Sequence, residues 1–164
     1  MAGQKQDLLL TANNPDLVRR LAQARVEFLI AGGVAVQFYG CREWSQLGDL
    51  DLLVNPTEDN ARRCSECLGE PGVDPAAIEQ QLQRPKSRVH LRSRVSDYLA
   101  DFLTPDADID FTELRARAQP TVVGEVEVLV ISRGDLIEMK RRAIESLGEE
   151  LEKHKRDLER LRGV

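Results

Sequence analysis

Aromatic residues make up only 4% of this chain, so aliphatic side chains must fill its core. No stretch approaches the roughly 18 apolar residues that a membrane span requires. The N-terminal MAGQKQDLLLTANNP lacks the charged-then-apolar order of a signal peptide. These absences predict a cytoplasmic protein with no membrane partner. Cysteine is scarce: Cys41, Cys64 and Cys67 are an odd, small set, which argues against a disulfide framework and fits a reducing compartment. There is no internal repeat, no low-complexity tract and no linker, so 1–164 reads as one domain. A formal charge of -5 argues against a whole-surface nucleic-acid binder but leaves room for a local basic groove.

What is present is an alternation of helix-like and strand-like segments, which predicts an α/β (α+β) domain with a mixed sheet and flanking helices. Asn14-Pro15 caps a first helix. VEFLIA (Val26–Ala31) reads as a strand, Gly32-Gly33 interrupts it, and VAVQFY (Val34–Tyr39) fits strand or helix on propensity. After a loop, DLDLLV is a second strand, and Pro56–Gly69 is a polar helix. KSRVHLRS and DYLADFL form two strands linked near Arg94–Ser96; FTELRARA is a short helix, and PTVVGEVEVLVI is two strands around Gly124. Ser132 with Asp135 forms a capping box that opens a helical tail over about 133–162, with a break at Gly148.

Within LGDLDLLV (Leu47–Val54), Asp49 and Asp51 interrupt an apolar run. Residues i and i+2 of a strand share a face, roughly 6.5–7 Å apart. Two carboxylates so placed can hold a divalent cation; without one they repel, or they are merely a solvated strand end. The second Asp-x-Asp, Asp108–Asp110, precedes a helix and reads as turn and cap. Upstream, Gly32-Gly33 between a strand and a helix would present backbone N–H groups to a phosphate; a tight turn is the alternative.

Taken together, AGGVAVQFYG…GDLDLLV resembles the polymerase-beta-like nucleotidyltransferase superfamily, in particular the small bacterial enzymes related to abortive-infection toxins of toxin–antitoxin systems. The resemblance spans most of the chain. It implies the polymerase-beta-like fold, Mg²⁺ or Mn²⁺ held by Asp49, Asp51 and a third carboxylate, and a nucleoside triphosphate such as ATP as substrate. YLADFLT supplies that third carboxylate as Asp101, with Asp97 as competitor. Gly32 and Gly33 would bind phosphates. The implied activity moves a nucleoside monophosphate to an acceptor hydroxyl on RNA, protein or a small molecule. An antitoxin-type protein partner is also implied. Three departures stand out: Gly33 replaces the family's frequent Ser, the gap to Asp49 is long, and that gap contains the unusual REWSQLG. They motivate a second expectation, a catalytically weak or inactive nucleotide-binding or protein-interaction module of the same fold.

Three further features carry expectations. Ile137, Lys140, Ile144, Leu147, Leu151, His154, Leu158 and Leu161 recur at threes and fours, one face of the tail. Lys140 on that face needs an anion or must snorkel; the resemblance implies that the anion is the nucleotide's phosphates or the site carboxylates. Lys155 and Asp157 read as surface residues. Arg84, Lys86, Arg88, His90, Arg92 and Arg94 alternate, so an extended Arg84–Arg94 would present a basic stripe to RNA or an acidic partner, or simply to water. Cys64-x-x-Cys67 is half a zinc site that Cys41 and His90 could complete, but paired cysteines are ordinary in a helix.

Overall fold

The computed structural model describes residues 10, 14–42, 49–69, 72–93, 97–146 and 151–163. The elements in order are α1 (Asn14–Gln23), β1 (Phe28–Ala31), α2 (Gly32–Phe38), β2 (Leu50–Val54), α3 (Glu58–Cys67), α4 (Pro75–Leu82), β3 (Arg88–Ser93), β4 (Tyr98–Leu103), α5 (Phe111–Arg117), β5 (Gln119–Val123), β6 (Val126–Val130), α6 (Arg133–Ser146) and α7 (Leu151–Arg162). Leu47, Gly48 and the link at Arg94–Ser96 lie outside the described residues.

One six-stranded mixed sheet runs β3-β4-β2-β1-β6-β5. β2·β4 and β1·β6 are parallel; the other neighbours are antiparallel. β1 and β2 are central and almost wholly buried, which explains their continuous apolar runs. β5 is an edge, where Pro120 costs no ladder bond. The core is aliphatic, built around Leu29, Ile30, Leu52, Phe102 and Val130. Among the described residues no helix is long and apolar enough to cross a membrane.

Two expectations change, and the choice left open at VAVQFY is decided. Asn14 does not act as a simple cap: buried, its side-chain amide exchanges two 3.0 Å hydrogen bonds with the backbone of Leu99 and ties α1 to β4. GGVAVQF is a helix despite its β-branched residues, because Val34 and Val36 gain burial that outweighs their weak helix propensity. The tail is two helices, α6 and α7, which flank the expected break and pack on each other; Gly148 itself lies outside the described residues. A helix pair presents two facing stripes, so its most buried residues are Leu136 and Lys140 on α6 and Asp157 and Leu161 on α7, not one continuous seam. The capping contact at Ser132 forms: Asp135 N donates to Ser132 Oγ at 3.1 Å.

Candidate active site

Strand register assembles the site. In β2·β4, Asp51 pairs with Asp101; in β3·β4, Asp101 pairs with His90; in β1·β2, Asp51 pairs with Ala31. Directly paired residues share a face. His90, Asp101, Asp51 and Ala31 therefore form one row across four strands, and the row ends at the Gly32-Gly33 turn. Asp49 lies two residues before Asp51, on the same side. Asp51 and Asp101 come from two adjacent strands, and Asp49 immediately precedes β2. Asp97 sits outside β4 in the left-handed backbone region, so the row contains Asp101 rather than its competitor.

The basic stripe belongs to the same face. Arg88, His90 and Arg92 are exposed on β3, while Leu91 and Ser93 point inward. Arg84 and Lys86 precede the strand and Arg94 lies outside the described residues, so the extended stripe is shorter than its sequence pattern. His90 Nδ1 lies 2.7 Å from Asp101 Oδ1. Arg92 bridges the row: its guanidinium pairs with Asp49 Oδ2 and reaches Asp101 Oδ1 at 3.2 Å.

Gly32 is required by its backbone: φ is +60°, and a Cβ there would also collide with the Asp51 carboxylate. A Cβ on Gly33 would meet the Arg42 guanidinium, which would have to shift. Arg42 is itself buried against Asp157 of α7. Asp157, expected at the surface, also accepts from Lys140 Nζ at 3.0 Å. Lys140 Nζ lies 3.3 Å from His154 Nδ1. Arg160 adds a 3.1 Å bond to the Cys41 carbonyl. Thus α7 is fastened beside the glycine turn by a buried Arg–Asp–Lys cluster, and Asp157 is the anion that Lys140 needed.

The chain superposes on the crystal structure of an antigenic nucleotidyltransferase-like protein from Paracoccidioides brasiliensis, with a TM-score of 0.56 over 90% of this chain and 72% of that one. The fold is nucleotidyltransferase-like. Identity is 13%, so the likeness is one of fold. No family model and no curated protein matches the sequence.

On this fold the charges are strongly coupled. Burial, then the neighbouring charge of Asp101, pushes the Asp51 carboxyl up to about 6; Arg88, Lys140 and Lys153 pull the other way. Burial lowers the Lys140 pKa against the opposing pull of Asp157. Burial would raise Asp157, but the Arg42 hydrogen bond and the Lys140 charge outweigh it and hold it low.

Carboxylate oxygens are the donors that Mg²⁺ and Mn²⁺ take. Asp51 beside Asp101, with Asp49 one step along, fits that donor chemistry. Among the described residues, however, no three His, Cys, Asp or Glu side chains already converge as a ligand group; Arg92 stands between Asp49 and Asp101. The same holds for the half zinc site: Cys64 is buried in α3, its thiol raised by burial, and no metal-holding group includes it among the described residues. Asp108 and Asp110 are structural. Asp110 caps α5 through Thr112 N at 2.9 Å, and Asp108 is bidentate to Arg142 at 2.8 Å. The reading from sequence missed His90 as a partner of Asp101 and missed Arg42, and it placed Asp157 at the surface, where the structure buries it.

Proposed function

We propose that this chain is a metal-dependent nucleotidyltransferase that moves a nucleoside monophosphate from a triphosphate to an acceptor hydroxyl. The observation that carries the reading is the register pair Asp51–Asp101, beside the glycine turn, in a nucleotidyltransferase-like fold. Asp49, Asp51 and Asp101 would hold Mg²⁺ or Mn²⁺, which when bound offsets phosphate charge. The backbone at Gly32 and Gly33 would meet the terminal phosphates. Lys140, spent on Asp157, would act through its charge on Asp51 rather than by direct contact. In the transfer, the acceptor O–H gives its proton to an Asp101 carboxylate oxygen, with His90 behind it. The acceptor oxygen bonds to the α-phosphorus. The bond from that phosphorus to the bridging oxygen breaks, and pyrophosphate leaves with the electron pair.

A specific observation favours a second reading, a nucleotide-binding or interaction module of weak or no activity: Arg92 already neutralises Asp49 and Asp101. One experiment separates the two. Labelled ATP, CTP, GTP and UTP are titrated with and without Mg²⁺ or Mn²⁺, on wild type and Asp49→Ala/Asp51→Ala, with pyrophosphate release measured in parallel. Metal-dependent binding and release, both lost in the variant, are expected. Binding without release under any acceptor mixture supports the nucleotide-binding module; no binding at all defeats the transferase and favours the interaction module.

A further inference from the structure

The row next to the carboxylates floors a cavity. Leu53 follows Asp51 by two positions, Leu103 follows Asp101 by two, and Arg88 precedes His90 by two, so all face the same side, roughly 6.5–7 Å along the strands. Over them, α6 and residues 104–109 enclose about 280 Å³, near the small end of ligand pockets. Leu53, Leu103, Ile109, Leu114, Met139 and Ala143 give it apolar walls.

The charges at its rim are unequal. Asp106 and Glu138 are spent on Arg142, at 2.8 and 3.0 Å, and Asp135 on Arg117 at 2.9 Å. The side chains of Lys86 and Arg88 have no ion pair or hydrogen bond with the described residues, and the field of Arg88 reaches Asp51. An apolar cavity with spare positive charge at its mouth thus opens beside the carboxylate row.

We propose that this cavity is the acceptor subsite, and that it takes a small hydroxyl compound with an apolar body and neutral or negative charge. The assignment rests on the transferase reading above. Direction supports it. Attacking and leaving oxygens lie in line on opposite sides of the phosphorus. The glycine turn that would hold the leaving phosphates follows β1, two strands away from β4 in the sheet, whereas the cavity is lined mainly by α6 and the segment that follows β4, with one residue each from β2, β3 and β4. Chemistry narrows the class. The walls are apolar and hold no aromatic platform for RNA bases. Lys86 and Arg88 repel a polycationic amino sugar. A nucleobase is the competing occupant of the same walls.

The test uses the full chain and 1-anilinonaphthalene-8-sulfonate, an apolar anion, as probe. Wild type should bind one probe per chain saturably. Ala143→Trp and Ser146→Phe, each filling the cavity from α6, should weaken probe binding by about tenfold or more, and Arg88→Gln by severalfold. Cooperative thermal unfolding identifies the variants that fold. Binding of ATP with Mg²⁺ should stay within about twofold in the cavity-filling variants. Compounds that displace the probe are then tested as acceptors, by the gain of one nucleoside monophosphate in mass. Parallel loss of probe and ATP in the filled variants would overturn the assignment in favour of a nucleobase pocket. Unchanged probe affinity in both would overturn it outright. If wild type binds the probe but no triphosphate under any metal condition, the transferase reading fails and the acceptor role with it, while the cavity's ligand chemistry stands on the probe data.

Discussion

Replacing Asp51 with Asn should stabilise the protein while disabling the site. Asp51 has no hydrogen bond or ion pair with the described residues, so the substitution breaks no described contact; it removes a charge held next to Asp101. The carboxyl moves from 3.8 to about 6 on folding, roughly 2 units or about 3 kcal/mol at ~1.4 kcal/mol per unit. The sign follows from proton binding. Between 3.8 and about 6 the folded chain holds a proton that the unfolded chain has released, so wild-type stability falls as pH rises through that window. Above it the full penalty applies; below 3.8 it vanishes. Urea unfolding across the acid to weakly basic range should therefore show Asp51→Asn ahead of wild type by up to about 3 kcal/mol on the basic side, with the gain shrinking through the window and disappearing at its acid end. Mg²⁺ should raise the melting temperature of wild type and leave the variant unmoved, because Asp51 is the one of the three carboxylates not already paired with Arg92. A variant less stable than wild type on the basic side, or a gain that persists in acid, would refute the reasoning.

Arg92→Gln frees Asp49 and Asp101 of their guanidinium and should tighten Mg²⁺ or Mn²⁺ binding severalfold by calorimetry; weaker binding would show that Arg92 supports the site instead of competing for it. Asp157→Ala leaves Arg42 and Lys140 buried without their anion and should cost about 3–5 kcal/mol in urea unfolding. A cost within the range of an exposed pair, below about 1 kcal/mol, would mean that α7 is not fastened there. Gly32→Ala forces a side chain into the left-handed region, at about 1–2 kcal/mol, and pushes on the Asp51 carboxylate. It should lower the melting temperature and the Mg²⁺ response together, and a change in stability alone would separate Gly32 from the site.

Much of the fold was legible because local signals agreed. Alternation and turn residues located β3, β4, β5 and β6, and Asp110 reads as a cap in both sequence and structure. VAVQFY stayed open between strand and helix, since a seven-residue helix rich in valine is decided by what buries it, not by propensity. Asp49, Asp51 and Asp101 were legible as one set only through the family resemblance: the pairing of Asp51 with Asp101 depends on the register of β2 against β4, which no local pattern specifies. The Arg42–Asp157 pair joins residues 115 positions apart, and Asp157 lies beside the apolar residues that marked the helix face. A charged residue flanking an amphipathic stripe reads as solvent-facing until the partner helix is placed.

Register also answers why an apolar strand carries two aspartates on one side. The strand order sets β3 beside β4, and β4 beside β2. The acidic pair of β2 and the single Asp101 of β4 therefore meet the alternate basic residues of β3 on one face. Arg92 covers Asp49 and Asp101 and His90 covers Asp101, while Asp51 is left without a direct cation; burial, then the neighbouring charge of Asp101, pushes its carboxyl up. A structural role alone would be served better by an apolar residue at 51, because a half-buried carboxylate facing another is a standing cost. The position makes physical sense when a mobile cation or a phosphate–cation complex completes the row, with Arg92 as the counter-ion that yields to it.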